Sequence, residues 1–512
     1  MADVIAVGPG PLSRADVVAV ARAGAPVELT DEAYQAMAAS CMHIKVLAAD
    51  ERPHYGVSTG FGALATRYIP AQQRSTLQQS LVRSHAAGAG AEVETEVVRA
   101  MAVLRLRTLA TGYTGVRPET ATALTDLLNA GITPVVPEHG SLGCSGDLAP
   151  LAAVALALTG EGTVRDAEGA TIPAGKALHA AGITPVVLAE KEGLALINGT
   201  DGMLGMLVLA TTDLHRLIDT ADLAAAMSVE ALLGTDAAFA ADLIALRPHP
   251  GQAVSAARIR TLLQGSQIVA SHRNPITDTR VQDAYSLRCA PQVHGAARDA
   301  LAHAETVADR ELSAAIDNPV VLPDGRVESA GNFHGAPLAY VLDFLAIPVA
   351  DMASMAERRT DRMLDPARSA GLPPFLADTP GVDSGYMIAH YTQAAVVAEL
   401  KRLAVPASVD SIPTSAMQED HVSMGWAAGR KLRRALDGLA TVLAVEVLTA
   451  ARALALRAPL RPAPATAAVV DAVHAAGVAA PGPDRHLAPE IATATELVRT
   501  GRLLAVAEGV TS

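Results

Sequence analysis

The segment Gly140-Ser141-Leu142-Gly143-Cys144-Ser145-Gly146-Asp147-Leu148-Ala149-Pro150 gathers flexible and nucleophilic residues in a chain otherwise rich in Ala and Leu. Ser145, between Cys144 and Gly146, invites comparison with known nucleophile and phosphate loops. A nucleophile elbow needs G-x-S-x-G, and Asp147 stands where the last glycine is required. A P-loop needs G-K-[ST], which is absent here. Upstream, Gly60-Phe61-Gly62-Ala63-Leu64-Ala65 matches the loose G-x-G-x-x-A dinucleotide pattern. No acidic residue follows at the required distance, near positions 80–82, and no strand-rich repeat supports it. What remains is a serine before a glycine, ahead of a helix expected over 148–158 with Asp147 at its cap. That helix's dipole would favour negative charge developing at 144–146. A glycine-rich helix cap without chemistry is the plain alternative.

Other loops mix polar, aromatic and glycine residues in the same way: 55–62, 84–90, 198–202, 280–294, 331–335 and 413–426. Function concentrates in such loops when rigid elements hold them. Taken singly, their residues have ordinary readings. Tyr55 could be a packed loop tyrosine, His85 a structural histidine, Arg288 a surface ion pair and Phe333 a core residue.

The elements that would hold these loops are helical. Half of the 512 residues are hydrophobic, yet five Phe, eight Tyr and one Trp are all the aromatics present, so the core must be Ala, Leu and Val. Small side chains and high helix propensity point to a mostly α fold. Thr30 can cap a helix over 31–49, and another pattern covers 97–110. After residue 200 the segments lengthen: 204–233, 293–315, 336–364 and 430–456. Helices this long suggest a bundle of rods. The change of texture divides the chain into an N-terminal region, 1–200, and a long-helix region, 201–512.

A net charge of -13 argues against a nucleic-acid partner. The basic run Arg430-Lys431-Leu432-Arg433-Arg434 reads as a solvated helix face. Three scattered cysteines without a C-x-x-C pair suggest neither a disulfide framework nor zinc, and fit a reducing cytoplasm. No H-E-x-x-H spacing appears, so no metal is expected. The first residues lack a basic stretch and a long apolar run, so no signal peptide is expected. Glu446 and Arg452 interrupt the apolar stretch 439–456, which argues against a membrane span.

In order along the chain, Tyr55-Gly56-Val57-Ser58-Thr59-Gly60-Phe61-Gly62, Cys144-Ser145-Gly146, Asn198-Gly199-Thr200, Gln282-Asp283-Ala284-Tyr285-Ser286-Leu287-Arg288, Gly331-Asn332-Phe333-His334-Gly335 and Gln418-Glu419-Asp420-His421 resemble the motifs of the aromatic amino-acid ammonia-lyase and aminomutase family. The resemblance covers nearly the whole chain. It implies an L-aspartase-like, mostly α fold and an electrophile, 4-methylidene-imidazol-5-one (MIO), cyclised from Cys144, Ser145 and Gly146, with no metal or diffusible cofactor. The nitrogen of Gly146 would attack the carbonyl carbon of Cys144, which needs glycine's uncrowded backbone; that carbonyl oxygen would leave as one water, and the Ser145 hydroxyl as a second. Cys144 stands where Ala is commoner. The reacting atoms there are backbone, so cyclisation should survive.

The same resemblance implies roles. The substrate amine adds to the MIO, and a base removes a β-proton. Tyr55 is the first choice for that base and Glu419 the competitor, although a phenol near pKa ~10 needs positive surroundings to act as phenolate. Arg288 would clamp the substrate carboxylate. Asn198, Gln282 and Tyr285 would position the substrate, and Phe333 would wall it. Ser84-His85 and Met387 match the histidine-type pattern, and His85 with Glu419 could satisfy both nitrogens of an imidazole. The implied activity is conversion of L-histidine to trans-urocanate and ammonia, the first step of histidine degradation, by a cytoplasmic homotetramer with sites shared between subunits and no membrane partner. A tyrosine lyase or 2,3-aminomutase is the alternative within the family, and a non-catalytic helical scaffold the alternative outside it.

Overall fold

The computed structural model describes residues 3–273 and 281–511, so Arg280, which opens one of the candidate loops, lies outside the described residues. Helices dominate. Thr30 caps helix Asp31–Ala49, its hydroxyl accepting from the Ala33 amide at 3.3 Å. The long segments are present as Asp201–Ala231, Ala290–Leu312, Ala336–Leu364 and Gly425–Ala455. Strands are short pairs. Ile5–Val7 runs parallel to Val27–Leu29, and Thr163–Arg165 joins Thr133–Pro134 and Thr171–Pro173 in a three-stranded antiparallel sheet.

Contacts group the chain into two compact units that do not follow the change of texture at residue 200. The first is Met1–Leu209 with Glu305–Leu342 and Pro406–Arg430; the second is Ala210–Ala304 with Asp343–Val405 and Lys431–Ser512. The difference arises because each of the four long helices contributes residues to both units.

The centre of the first unit is helix Thr95–Ala110, buried at every position from Val97 to Ala110. It carries three arginines, and burying a guanidinium is tolerable only when its donors are satisfied. Arg99 donates to the carbonyls of Val20 and Leu128, and Arg107 to those of Pro9, Gly10 and Ser313. Arg105 pairs with Asp201, Nε to Oδ2 at 3.0 Å, and donates to the carbonyls of Ala195, Asn198 and Ile316. One side chain thus ties residues 195–201 to the segment at Ile316.

Phe239, Tyr386 and Trp426 are the buried aromatics among the 14; Ala, Leu and Val fill the rest of the core. The basic run is not a solvated face. Arg430 pairs with Glu94, Lys431 with Asp343 at 2.6 Å and Arg433 with Asp213 at 3.0 Å. Three acids so distant in sequence cannot be seen in a local charge pattern. Three helices, Glu192–Ala231, Ala336–Leu364 and Gly425–Ala455, are long and apolar enough to cross a membrane by length and composition. Their most apolar 18-residue windows are 100%, 61% and 83% buried inside the protein, so core burial accounts for most of that apolarity.

Candidate active site

Residues 140–147 are pinned from three directions, all within the first unit. The Gly143 carbonyl accepts from the Gly335 amide at 2.9 Å and from the Ser423 hydroxyl at 2.8 Å, and the Leu142 carbonyl accepts from the Met424 amide at 2.8 Å. On the other side the Asp147 amide donates to the Gly199 carbonyl at 2.7 Å. The loop is therefore held by the loops carrying Phe333, Glu419 and Asn198 before any side chain of the triad is considered.

Asp147 begins helix Leu148–Leu158 but does not cap it with its side chain. Its Oδ2 accepts instead from the amides of Gly202 and Met203, both at 2.9 Å, at the start of helix Asp201–Ala231, and Oδ1 accepts from the Ser141 hydroxyl at 2.8 Å. The carboxyl is fully enclosed, and burial pushes it up to about 7 against the pull of these donors. A side-chain cap to its own helix is the local expectation; the carboxylate instead takes the first amides of helix Asp201–Ala231, which only tertiary structure brings beside it.

Gly146 sits at φ +76°, and a Cβ there would lie 2.2 Å from the Gly199 carbonyl oxygen and 2.4 Å from its carbon. No residue with a side chain fits. The Ser145 hydroxyl donates to Glu419 Oε1 at 3.0 Å, and the Cys144 thiol donates to Oε2 at 3.3 Å. Burial, then the Glu419 carboxylate, pushes that thiol up to about 11, so it is protonated at neutral pH. These features fit formation of an MIO: a crowded left-handed glycine, a serine whose hydroxyl is bonded to a carboxylate, and a side chain at 144 that takes no part in the ring.

Glu419 is aimed by a short bridge. Thr414 and Glu419 exchange backbone hydrogen bonds at 2.9 and 3.3 Å, and the Thr414 hydroxyl donates to Oε2 at 3.1 Å. The turn between them puts Ser415, Ala416 and Met417 all at positive φ, from 51° to 68°, a conformation costing about 1–2 kcal/mol per residue for side-chain-bearing amino acids.

A cavity of about 440 Å³ opens on this group, lined among others by Tyr55, Cys144, Ser145, Asn318, Phe333 and Glu419. The Tyr55 hydroxyl accepts from the Gly62 amide at 3.3 Å, and its ring meets Phe61 edge-on. Burial raises the Tyr55 phenol above its ordinary value, with Glu419 and Asp317 adding to the rise and only the Gly62 amide opposing. His334 and His421 stack at the cavity wall with rings 2° from parallel.

Asn198 lies at the end of helix Glu192–Ile197, 4% exposed, its amide nitrogen 3.5 Å from the Asn318 carbonyl. Its Oδ1 is buried without a partner, an acceptor left free for a donor such as an amine. His85 does not line the cavity. Its Nδ1 lies 2.9 Å from the Leu81 carbonyl, an acceptor only, which assigns the proton to Nδ1 and leaves Nε2 as an acceptor. Burial lowers the His85 pKa, with the Leu81 carbonyl and Glu419 partly offsetting it, so the ring is neutral at neutral pH.

The four remaining candidates belong to the second unit: Gln282 is exposed, Tyr285 is 70% exposed, Arg288 is half-buried and Met387 begins helix Met387–Leu403. The Arg288 guanidinium lies over the Tyr285 ring, 4.7 Å from its centre. Sequence reasoning missed Asn318 and Thr414. Asn318, just before Pro319, carries no motif of its own, and Thr414 lies within the candidate loop 413–426 without a motif that singles it out from its neighbours. Among the described residues no group of three or more His, Cys, Asp or Glu is placed to hold a metal ion.

The helical frame and the pinned serine-glycine loop are those of a lyase class. The chain matches the family model described as aromatic amino acid lyase over residues 12–475, and it belongs to that family. It is 64% identical over 507 residues to the histidine ammonia-lyase of Streptomyces coelicolor, covering 99% of both chains. Among solved structures it resembles histidine ammonia-lyase from Trypanosoma cruzi (TM-score 0.90, 37% identity, 99% of this chain and 95% of that one). It also resembles tyrosine aminomutase from Streptomyces globisporus (TM-score 0.94, 36% identity, 99% and 98%).

Proposed function

We propose that the protein is an ammonia-lyase that converts L-histidine to trans-urocanate and ammonia, using an MIO cyclised from Cys144, Ser145 and Gly146. The observation that carries this reading is the Ser145 hydroxyl on Glu419 at 3.0 Å, in one cavity with Tyr55 and Phe333. The histidine ammonia-lyases at 62–64% identity support the substrate. The chemistry such a group supplies is electrophilic: it makes ammonia a competent leaving group.

The chain's own residues do the rest. Asn198 Oδ1 accepts from the substrate amine. Neutral His85, beside the cavity, and Glu419 both present acceptors, which together suit the two N–H groups of the substrate's protonated imidazole, whereas a phenyl ring would leave both unpaired at about 1–3 kcal/mol each. The β-proton goes to Tyr55 when positive charge next to the phenol offsets the rise caused by burial and Glu419; without such a cation it goes to Glu419. Arg288 binds the substrate carboxylate, with Tyr285 and Gln282 beside it. As the family resemblance implies, the reading includes a cytoplasmic homotetramer with sites shared between subunits.

Incubation of the purified protein with L-histidine, following urocanate absorbance with L-tyrosine and L-phenylalanine as controls, tests the substrate. Urocanate from histidine alone is expected. Preferred turnover of tyrosine, to a cinnamate-type acid or a β-amino acid, would overturn the reading in favour of the tyrosine enzymes.

A further inference from the structure

In the second unit, beneath the turn that carries Tyr285 and Arg288, lies an ion pair with no solvent access at either partner. Arg359 of helix Ala336–Leu364 and Glu446 of helix Gly425–Ala455 are both 0% exposed and meet in a bidentate pair, Nε to Oε1 at 2.5 Å and Nη2 to Oε2 at 2.9 Å. Ser228 of helix Asp201–Ala231 donates its hydroxyl to the same Oε1 at 2.7 Å. A buried ion pair is weak evidence for stability, because apolar residues of similar size usually fill such a place as well or better. Its retention therefore asks for another reason.

The reason lies in the donor left over. Arg359 Nη1 reaches the main-chain carbonyl of Ser286 at 3.2 Å. Ser286 follows Tyr285, whose side chain is exposed, and belongs to the single turn Tyr285–Arg288. Just upstream, Asp283 accepts from the Thr235 amide at 2.7 Å. The turn buries one side chain of its own, Leu287. It needs outside supports, and the guanidinium is one that can hold a carboxylate with two donors and a carbonyl with a third.

We propose that Arg359, held by Glu446 and Ser228, is a positioning residue for substrate binding: it fixes the Ser286 carbonyl and so sets the direction of Tyr285 and Arg288. This rests on the reading of Arg288 as the carboxylate clamp. Arg359 touches no substrate. Its effect reaches the reaction only through the turn.

Two variants test it. Arg359→Lys keeps a charge for Glu446 but cannot pair with it bidentately and reach Ser286 at once. The double variant R359M/E446M removes both charges, keeps the core filled and leaves no orphaned carboxylate. Both are expected to fold, with unchanged helical circular dichroism, and to show the mass change of MIO formation. Both should raise KM for L-histidine about 10- to 100-fold, as loss of one charge-assisted hydrogen bond predicts, with a smaller change in kcat. Hydrogen exchange should quicken in the 281–289 peptide and stay unchanged in helix Thr95–Ala110. Folded variants with wild-type KM and wild-type exchange in that peptide would overturn the proposal. Faster exchange without any effect on KM would overturn it too. If the wild-type protein makes no urocanate, the function reading fails by itself, and exchange still reports whether Arg359 holds the turn.

Discussion

Replacing Gly146 by Ala probes the geometry on which the electrophile depends. At φ +76° an alanine costs about 1–2 kcal/mol relative to an ordinary backbone conformation. The added methyl would meet the oxygen, carbon and nitrogen of Gly199 at 2.2, 2.4 and 2.6 Å, and these are backbone atoms that no rotamer change can move. Forcing such a contact apart costs about 1–3 kcal/mol and stretches the Asp147 amide bond to the Gly199 carbonyl, worth about 1 kcal/mol more. Gly146→Ala should therefore lose about 3–6 kcal/mol of stability in urea unfolding, at the upper end for single substitutions. Gly24 at φ +64° is the control, since a Cβ there meets nothing within 4 Å and Gly24→Ala should lose only the conformational part, about 1–2 kcal/mol. The variant should also fail to cyclise, seen as an intact mass without loss of water. If Gly146→Ala is no less stable than Gly24→Ala, or matures normally, the crowded-glycine argument is wrong.

Other outcomes follow from the same site. Tyr55→Phe should lower kcat by orders of magnitude while the MIO still forms; a near-normal rate would transfer the proton-accepting role to Glu419. The sign of the Cys144 shift can be tested by alkylation. A thiol held near 11 is about one part in a thousand thiolate at pH 8, so labelling of Cys144 should be negligible there and grow tenfold per pH unit above it, with the half-buried Cys289 labelled first. Rapid labelling of Cys144 at pH 8 would contradict the burial argument. Cys144→Ala should mature and turn over histidine at close to the wild-type rate, because the ring uses only backbone atoms at that position. His85→Leu should raise KM for L-histidine about tenfold or more and improve relative turnover of phenylalanine; unchanged preference would remove His85 from substrate recognition.

Much of the fold was legible in the sequence, for local reasons. Helix Leu148–Leu158 and helix Ala336–Leu364 match the expected spans, and Thr30 caps where its position before Asp31-Glu32 suggested. Elsewhere ends moved by up to five residues, as with Gly425–Ala455 against 430–456, because first turns such as Gly425-Trp426 look like loop until Trp426 is seen to donate to the Glu138 carbonyl at 2.6 Å. Strand pairs of two to four residues carry too little periodicity to be read. Arg105, Arg359 and Asp147 were invisible as structural centres for a common reason: each acts on partners up to about two hundred residues away, and a buried charge is recognisable only beside what satisfies it. At the site, the resemblance supplied the residues, and the structure added how they are held. It also showed that the surroundings of Tyr55, expected to need positive charge to act as a base, oppose its ionisation.

The central claim is that Cys144, Ser145 and Gly146 become an electrophile, and intact-mass spectrometry of the purified protein tests it most directly. The account predicts a chain lighter than its sequence by two waters, with the loss confined to the peptide spanning residues 144–146 and absent from Ser145→Ala, which should also be inactive. A wild-type chain of unmodified mass, or a Ser145→Ala variant that still produces urocanate, would contradict it.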